Sequence, residues 1–313
     1  MSQSATWEAA RTQEHLAQQR SQRALRENLT GYLFMTPWLI GFFVFTLGPI
    51  LVSLFLSFTR YDLLTPPQWT GLDNYTRLLT RDIRYGTALN VTATYVLVSV
   101  PLRLLFALAV ALILNRGLRG LSIYRAIYYL PSLLGGSVAI AILWRQVFGA
   151  SGLLNQFLEL FFGIEGRSWI ASPDTALWTL ILLSVWQFGS PMLIFLAGLK
   201  QIPAELYEAA EIDGANTLTK FLRVTLPLLT PIIFFNLILQ MISSFQAFTS
   251  AFIIGGPGDS TLLYTLYLYQ QGFQFFRMGY AAAMAWLLLI IIATCTAIAF
   301  LTSRYWVYYM DES

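Results

Sequence analysis

Long apolar runs separated by short polar connections dominate this chain. A membrane-crossing helix needs about 20 mostly apolar residues. Six stretches meet that requirement, at about 31–58, 91–114, 127–148, 176–199, 226–254 and 279–301. Ahead of them, residues 1–28 are polar and of mixed charge, with Trp7, Leu16 and Leu25 as large apolar positions. This tail reads as a loose cytoplasmic helix or a disordered arm, and residues 304–313 form a second short tail. The pattern predicts an all-α integral membrane protein, six transmembrane helices in one domain over 29–303. Pro37, Pro49, Pro101, Pro131, Gly135, Gly136, Pro191 and Pro231 fall inside the runs. Membrane helices tolerate such residues where neighbouring helices or water satisfy the freed backbone groups.

The connections carry the next signal. One set holds Arg11, Arg20, Arg23 and Arg26, then Arg116, Arg119 and Arg125, then Lys200, Lys220 and Arg223, then Arg304. It outweighs the alternate set, so both termini are expected in the cytoplasm of a multi-pass protein. The connection 59–90 works against this through Arg77, Arg81 and Arg84, partly offset by Asp62, Asp73 and Asp82. Within the outer connections, 153–162 has the apolar content of a short interfacial helix, and Gly255-Gly256-Pro257-Gly258 is a loop signal.

Composition agrees. The chain is 57% hydrophobic and 11% charged, against about 45–50% and about 25% for a soluble domain. A net charge of +3 is too small and too scattered for nucleic acid. A single cysteine, Cys295, and a single histidine, His15, leave no disulfide framework and no metal site. No Asp or Glu lies in the six runs, which argues against an ion-coupled transporter. Neither lysine, Lys200 nor Lys220, sits in a Gly-x-x-x-x-Gly-Lys-Ser/Thr motif, so no ATP is bound through such a loop. If transport is driven, energy enters from another subunit.

Polar side chains do occur inside the runs. Ser184, Trp186, Gln187 and Ser190 cluster in the fourth. In the fifth, Asn236, Gln240, Ser243 and Ser244 recur at three- and four-residue steps on one helix face, and Gln246 extends the set. Amides and aromatic rings suit a neutral, hydroxyl-rich solute; the same residues also serve as interhelical hydrogen bonds. Arg103, inside the second run, meets carbonyls, water, another subunit or an anionic solute.

Between the fourth and fifth runs lies the charged loop 200–227. Glu205, Glu208 and Glu211 share one helical face and Leu206, Ala209 and Ala210 another. Gly214 suits a left-handed helix end, and Asn216 or Thr217 suits the cap of a second helix. The prediction is a hairpin of two short helices.

Glu208-Ala209-Ala210, three residues, Gly214, nine residues, then Val224-Thr225-Leu226-Pro227 resembles the EAA signature of permease subunits of binding-protein-dependent ABC importers. The usual Ile is Val224 here. Asp213-Gly214-Ala215, Gly71–Tyr75, Tyr129-Leu130-Pro131, Gly255-Gly256-Pro257 and Met278–Ala283 extend the resemblance to the MalF-like carbohydrate branch. No large outer domain is inserted. The resemblance implies a type I importer fold in a bacterial or archaeal inner membrane. It implies that Glu208, Ala209, Ala210, Asp213, Gly214, Leu226 and Pro227 couple to a cytoplasmic ATPase. It also implies a substrate path along Ser184, Trp186, Gln187, Ser190, Asn236, Gln240, Ser244 and Gln246, and it leaves open whether Arg103 is an anion contact. The implied partners are a second permease subunit in a heterodimer, two ATPase subunits that hold ATP and Mg, and an extracytoplasmic binding protein that delivers a sugar or oligosaccharide. Rival readings are the same architecture carrying a non-sugar solute such as a polyol phosphate, and an ATP-independent secondary transporter.

Overall fold

A computed structural model describes residues 31–117, 120–164 and 166–308. The chain divides into two compact units between Leu56 and Ser57. Helix α1 (Gly31–Ser57), all but its last residue in the first unit, is apolar along its length. Its Phe42–Leu47 segment is π-helical, with the Gly48 N–H donating to Phe43 O. The cause is Pro49, which has no N–H for the Phe45 carbonyl, so the helix widens by one residue there.

The second unit begins with a small β-hairpin, Thr59–Arg60 (β1) against Gln68–Trp69 (β2), and helix α2 (Asp73–Thr80). The long helix α3 (Ile83–Leu114) follows. Its buried residues Ala88, Thr92, Tyr95, Val96, Ser99, Leu104, Ala107 and Ala111 recur at helical spacing, which makes one face the core. Helices α4 (Leu121–Leu134), α5 (Val138–Val147) and α6 (Leu153–Phe162) come next. Then come α7 (Pro173–Trp186), α8 (Gly189–Leu199), α9 (Ala204–Ile212) and α10 (Thr217–Lys220). A π-helical turn (Phe221–Thr225) leads into α11 (Leu226–Phe245), followed by α12 (Thr249–Ile254), α13 (Tyr264–Tyr269) and α14 (Met278–Ser303). Helix α3 packs on α7, α8, α11 and α13, α4 on α8, α5 on α12, and α11 on α14. Large apolar side chains such as Leu97, Leu105, Trp178, Leu289 and Ile298 face outward, as a bilayer requires.

Among the described residues, five helical stretches are long and apolar enough to cross a membrane, and a sixth arises if α4 with α5 is one span. Three of the six apolar runs are not single helices. The run at 127–148 bends by 97° between α4 and α5. Gly135-Gly136 weakens the helix there, and the Ser137 hydroxyl accepts from the Ile140 N–H to start the next one. The run at 176–199 is interrupted at Gln187-Phe188, and that at 226–254 at 246–248. The connection after Gly255 holds a buried helix, α13, beyond its loop signal, and the connection at 59–90 includes the first turns of α3.

Helix α13 is pinned where α3 starts. The Asp82 carboxylate caps α3 by accepting from the Tyr85 N–H at 3.0 Å, and it accepts from the hydroxyls of Tyr267 at 2.7 Å and Tyr280 at 2.5 Å. Partial burial pushes this carboxyl up, but the donors prevail and hold it below the usual range. Arg84 grips Asp259 through two nitrogens at 2.8 and 2.7 Å and lowers that carboxyl as well. The Tyr264 hydroxyl, buried between the helices, donates to Met284 O at 2.7 Å.

Candidate functional site

The three helix interruptions converge on one cavity of 200 Å³. Gly135 and Gly136 reach it from the α4–α5 bend, Gln187 from the α7–α8 break, and Gln246 to Phe248 from the α11–α12 break. Backbone polar groups freed within a bilayer are sustainable where they are buried in protein or line a cavity. A polar hollow inside an apolar bundle is the consequence.

Ser184, Gln187, Ser244 and Gln246 of the expected path line this cavity, together with Arg103. Tyr95 of α3 shares the lining with Ser184. Gln246 is exposed at the end of α11. The other expected residues lie elsewhere. The Trp186 ring packs against Trp144, with centroids 5.7 Å apart, and the Trp144 ring N–H donates to Thr179 O at 3.0 Å. The Ser190 backbone N–H donates to the Ser132 hydroxyl at 3.0 Å. Gln240 is buried among helices, and Asn236 is fully buried.

The Asn236 amide has no hydrogen-bond partner for either polar atom among the described residues. This chain alone covers it, so neither solute nor partner reaches it in this conformation. An unpaired buried amide costs about 1–3 kcal/mol. Asn236→Leu, of similar shape, is therefore expected to raise the melting temperature in detergent and to leave uptake unchanged. A lower melting temperature with lost uptake would return Asn236 to the path.

Sequence reasoning missed Tyr95 and the Gly135-Gly136 backbone as parts of this hollow, and Ser132 as the hydroxyl that bonds Gln187 and Ser190 beside it. The glycine pair was visible as a helix weakness, but its position beside Gln187 depends on the packing of α4 on α8. Arg103 donates through Nε and Nη2 to the Gln187 carbonyl, at 2.9 and 2.5 Å. Its guanidinium is thus engaged by the protein's own backbone.

The second element is the hairpin. Helix α9 ends in two backbone bonds, Gly214 N–H to Glu211 O at 3.0 Å and Ala215 N–H to Ala210 O at 2.8 Å. This paired closure is the Schellman motif, and it places Gly214 at φ +77°. The Asn216 side chain then caps α10 by accepting from the Thr219 N–H at 2.8 Å. Two straps close the hairpin. Lys220 meets Glu211 at 2.5 Å, and the Tyr207 and Thr225 hydroxyls lie 3.0 Å apart. Lys220 holds the exposed Glu211 carboxyl below its usual range. Glu208, Ala209 and Asp213 are exposed, while Leu226 and Pro227 are half-buried at the base. Ile212, Leu218 and Leu222 also stand exposed, at 87%, 65% and 50%. The hairpin is closed by its own bonds and exposes both apolar and acidic side chains.

Residues 105–307 match the family described as binding-protein-dependent transport system inner membrane component. The chain is 56% identical over 301 residues to the probable ABC transporter permease protein YesP of Bacillus subtilis (strain 168), covering 95% of this chain and 97% of that protein. It is 37% identical over 280 residues to the arabinooligosaccharides transport system permease protein AraP of the same organism, covering 86% of each. A chain in the crystal structure of a bacterial ABC transporter involved in the import of the acidic polysaccharide alginate has the same fold. Its TM-score is 0.80 at 23% identity, over 91% of this chain and 98% of that one.

Proposed function

Because the chain belongs to the family of binding-protein-dependent transport system inner membrane components, we propose that it is the half-pore through which such an importer passes a saccharide. It is a transport subunit of an ABC importer and performs no chemistry; ATP is used by a separate ATPase. The proposal places that ATPase on the hairpin, with Glu208, Ala209, Ala210, Asp213 and Gly214 at the contact and Leu226 and Pro227 at its base. A second permease subunit completes the pore. A binding protein outside the cell delivers the solute, and both termini lie in the cytoplasm beneath an inner membrane.

The observation that carries the saccharide reading is the convergence of three helix breaks on a hollow lined by Ser184, Gln187, Ser244 and Gln246. Hydroxyls and amides both donate and accept, which matches a solute whose hydroxyls do the same. The likeness to an arabinooligosaccharide permease supports that solute class. Among the described residues no carboxylate lines the cavity, which favours energy entering through the hairpin over ion coupling.

The test is ATP hydrolysis by the four-subunit complex in vesicles, with its binding protein present, across a panel of saccharides. Stimulation by at least one saccharide is expected, and Gln246→Ala is expected to raise its KM by about tenfold, near the worth of one or two hydrogen bonds. A response only to phosphorylated polyols, or uptake that proceeds without ATP, overturns the reading.

A further inference from the structure

We propose that Arg103 is a positioning residue that supplies the hydrogen-bond donor missing at Pro191, and so holds open the helix break at the floor of the cavity. In a continuous helix the Gln187 carbonyl would accept from the N–H four residues on. That residue is Pro191, which has no N–H. The carbonyl is therefore orphaned within the span, where no bulk water can satisfy it.

Three donors replace the lost one. Arg103 brings Nε at 2.9 Å and Nη2 at 2.5 Å, and Ser132 brings its hydroxyl at 2.8 Å. Two N–H groups of the planar guanidinium thus share one oxygen. The Ser132 oxygen also accepts from the Ser190 N–H at 3.0 Å, and the Gln187 side chain donates to Gly135 O at 3.2 Å. One carbonyl thereby joins α3, the α4–α5 bend and the α7–α8 break. Glycines allow this approach. A Cβ on Gly135 would strike the Gln187 side chain, and one on Gly189 would strike the Tyr128 carbonyl oxygen. An arginine inside a membrane is costly. Here its cost is offset by adding two donors to a carbonyl that the Ser132 hydroxyl would otherwise meet alone.

A solute contact and a positioning role give different results, and an engineered donor separates them. Uptake by the whole complex is read for a neutral and a carboxylated saccharide, a readout that rests on the saccharide reading. Arg103→Gln is expected to lower maximal uptake by about tenfold for both, with the ratio of their KM values unchanged. Pro191→Ala returns the N–H that a continuous helix would offer the Gln187 carbonyl. In the Arg103→Gln background it is expected to recover uptake by roughly threefold or more, as coupled neighbours do.

Normal uptake by Arg103→Gln overturns the proposal. So does a selective change for the carboxylated saccharide, which would make Arg103 a solute contact, and so does failure of Pro191→Ala to rescue. If Arg103→Gln does not accumulate in the membrane, Pro191→Ala must restore its accumulation, and failure there overturns the proposal too. A wild-type complex stimulated by no saccharide sinks the functional reading instead, while the accumulation arm still tests Arg103.

Discussion

Gly214→Val is expected to reduce ATP-driven uptake by about tenfold or more, with normal amounts of protein in the membrane. Gly214 sits at φ +77°, a region that costs other L-residues about 1–2 kcal/mol and β-branched ones most. A cost near 1.4 kcal/mol is a tenfold shift in equilibrium. A Cβ here would meet no atom within 4 Å, so the penalty is in the backbone alone. The chain can escape it only by opening the bonds from Gly214 to Glu211 and from Ala215 to Ala210. Opening them swings α9 away from α10 and dissolves the surface that carries Glu208. The core around α3 shares no residue with this turn, so the bundle should persist. Gly214→Asn, which tolerates the left-handed region, should retain most uptake. The checks are uptake, stimulated ATP hydrolysis and membrane content for both variants. Full uptake by Gly214→Val would remove the hairpin from the coupling role.

Gly189→Leu should fail at an earlier stage, with little protein accumulating in the membrane and a sharply lowered melting temperature. At this glycine even a Cβ has no room. It would fall on the Tyr128 carbonyl oxygen, 2.7 Å from Tyr129 Cα and 2.9 Å from the Ser132 hydroxyl. Two of these neighbours are backbone, which cannot swing aside as a side chain can. Relief requires α4 and α8 to move apart, lengthening the bonds from Ser190 to Ser132 and from Ser132 to the Gln187 carbonyl. Overpacking of a core costs about 1–3 kcal/mol for added methylenes, and separation of the helices adds lost packing. Gly86→Leu is the control, since a Cβ there meets nothing within 4 Å. Equal accumulation of the two variants would mean that the α4–α8 contact bears little of the fold.

How much was legible differs between the two parts of the site. The hairpin is local. Its stop at Asp213-Gly214 and its restart at Asn216 follow from the conformational range of glycine and the reach of an Asn side chain, both readable within a dozen residues. The apolar runs were equally plain, because a bilayer demands length and apolarity and little else. The interruptions inside them were only half visible. Pro191 and Gly135-Gly136 marked weak points, but no periodicity says whether a weak point bends, breaks or is bridged.

That outcome was decided by partners distant in the chain. The orphaned Gln187 carbonyl is met by Arg103, 84 residues earlier, and by Ser132, 55 residues earlier. The same holds for the polar face of α11. Helical spacing aligned Asn236, Gln240 and Ser244, but only packing against α3 and α8 buried all three and put Ser244 alone of them on the cavity wall. The sequence by itself determined a membrane bundle with a hairpin of two short helices, since apolar length, capping and the missing N–H of proline are properties of neighbouring residues. Tertiary structure alone decided which polar groups line the hollow and which hold it together, because the donors that meet the freed Gln187 carbonyl lie on other helices.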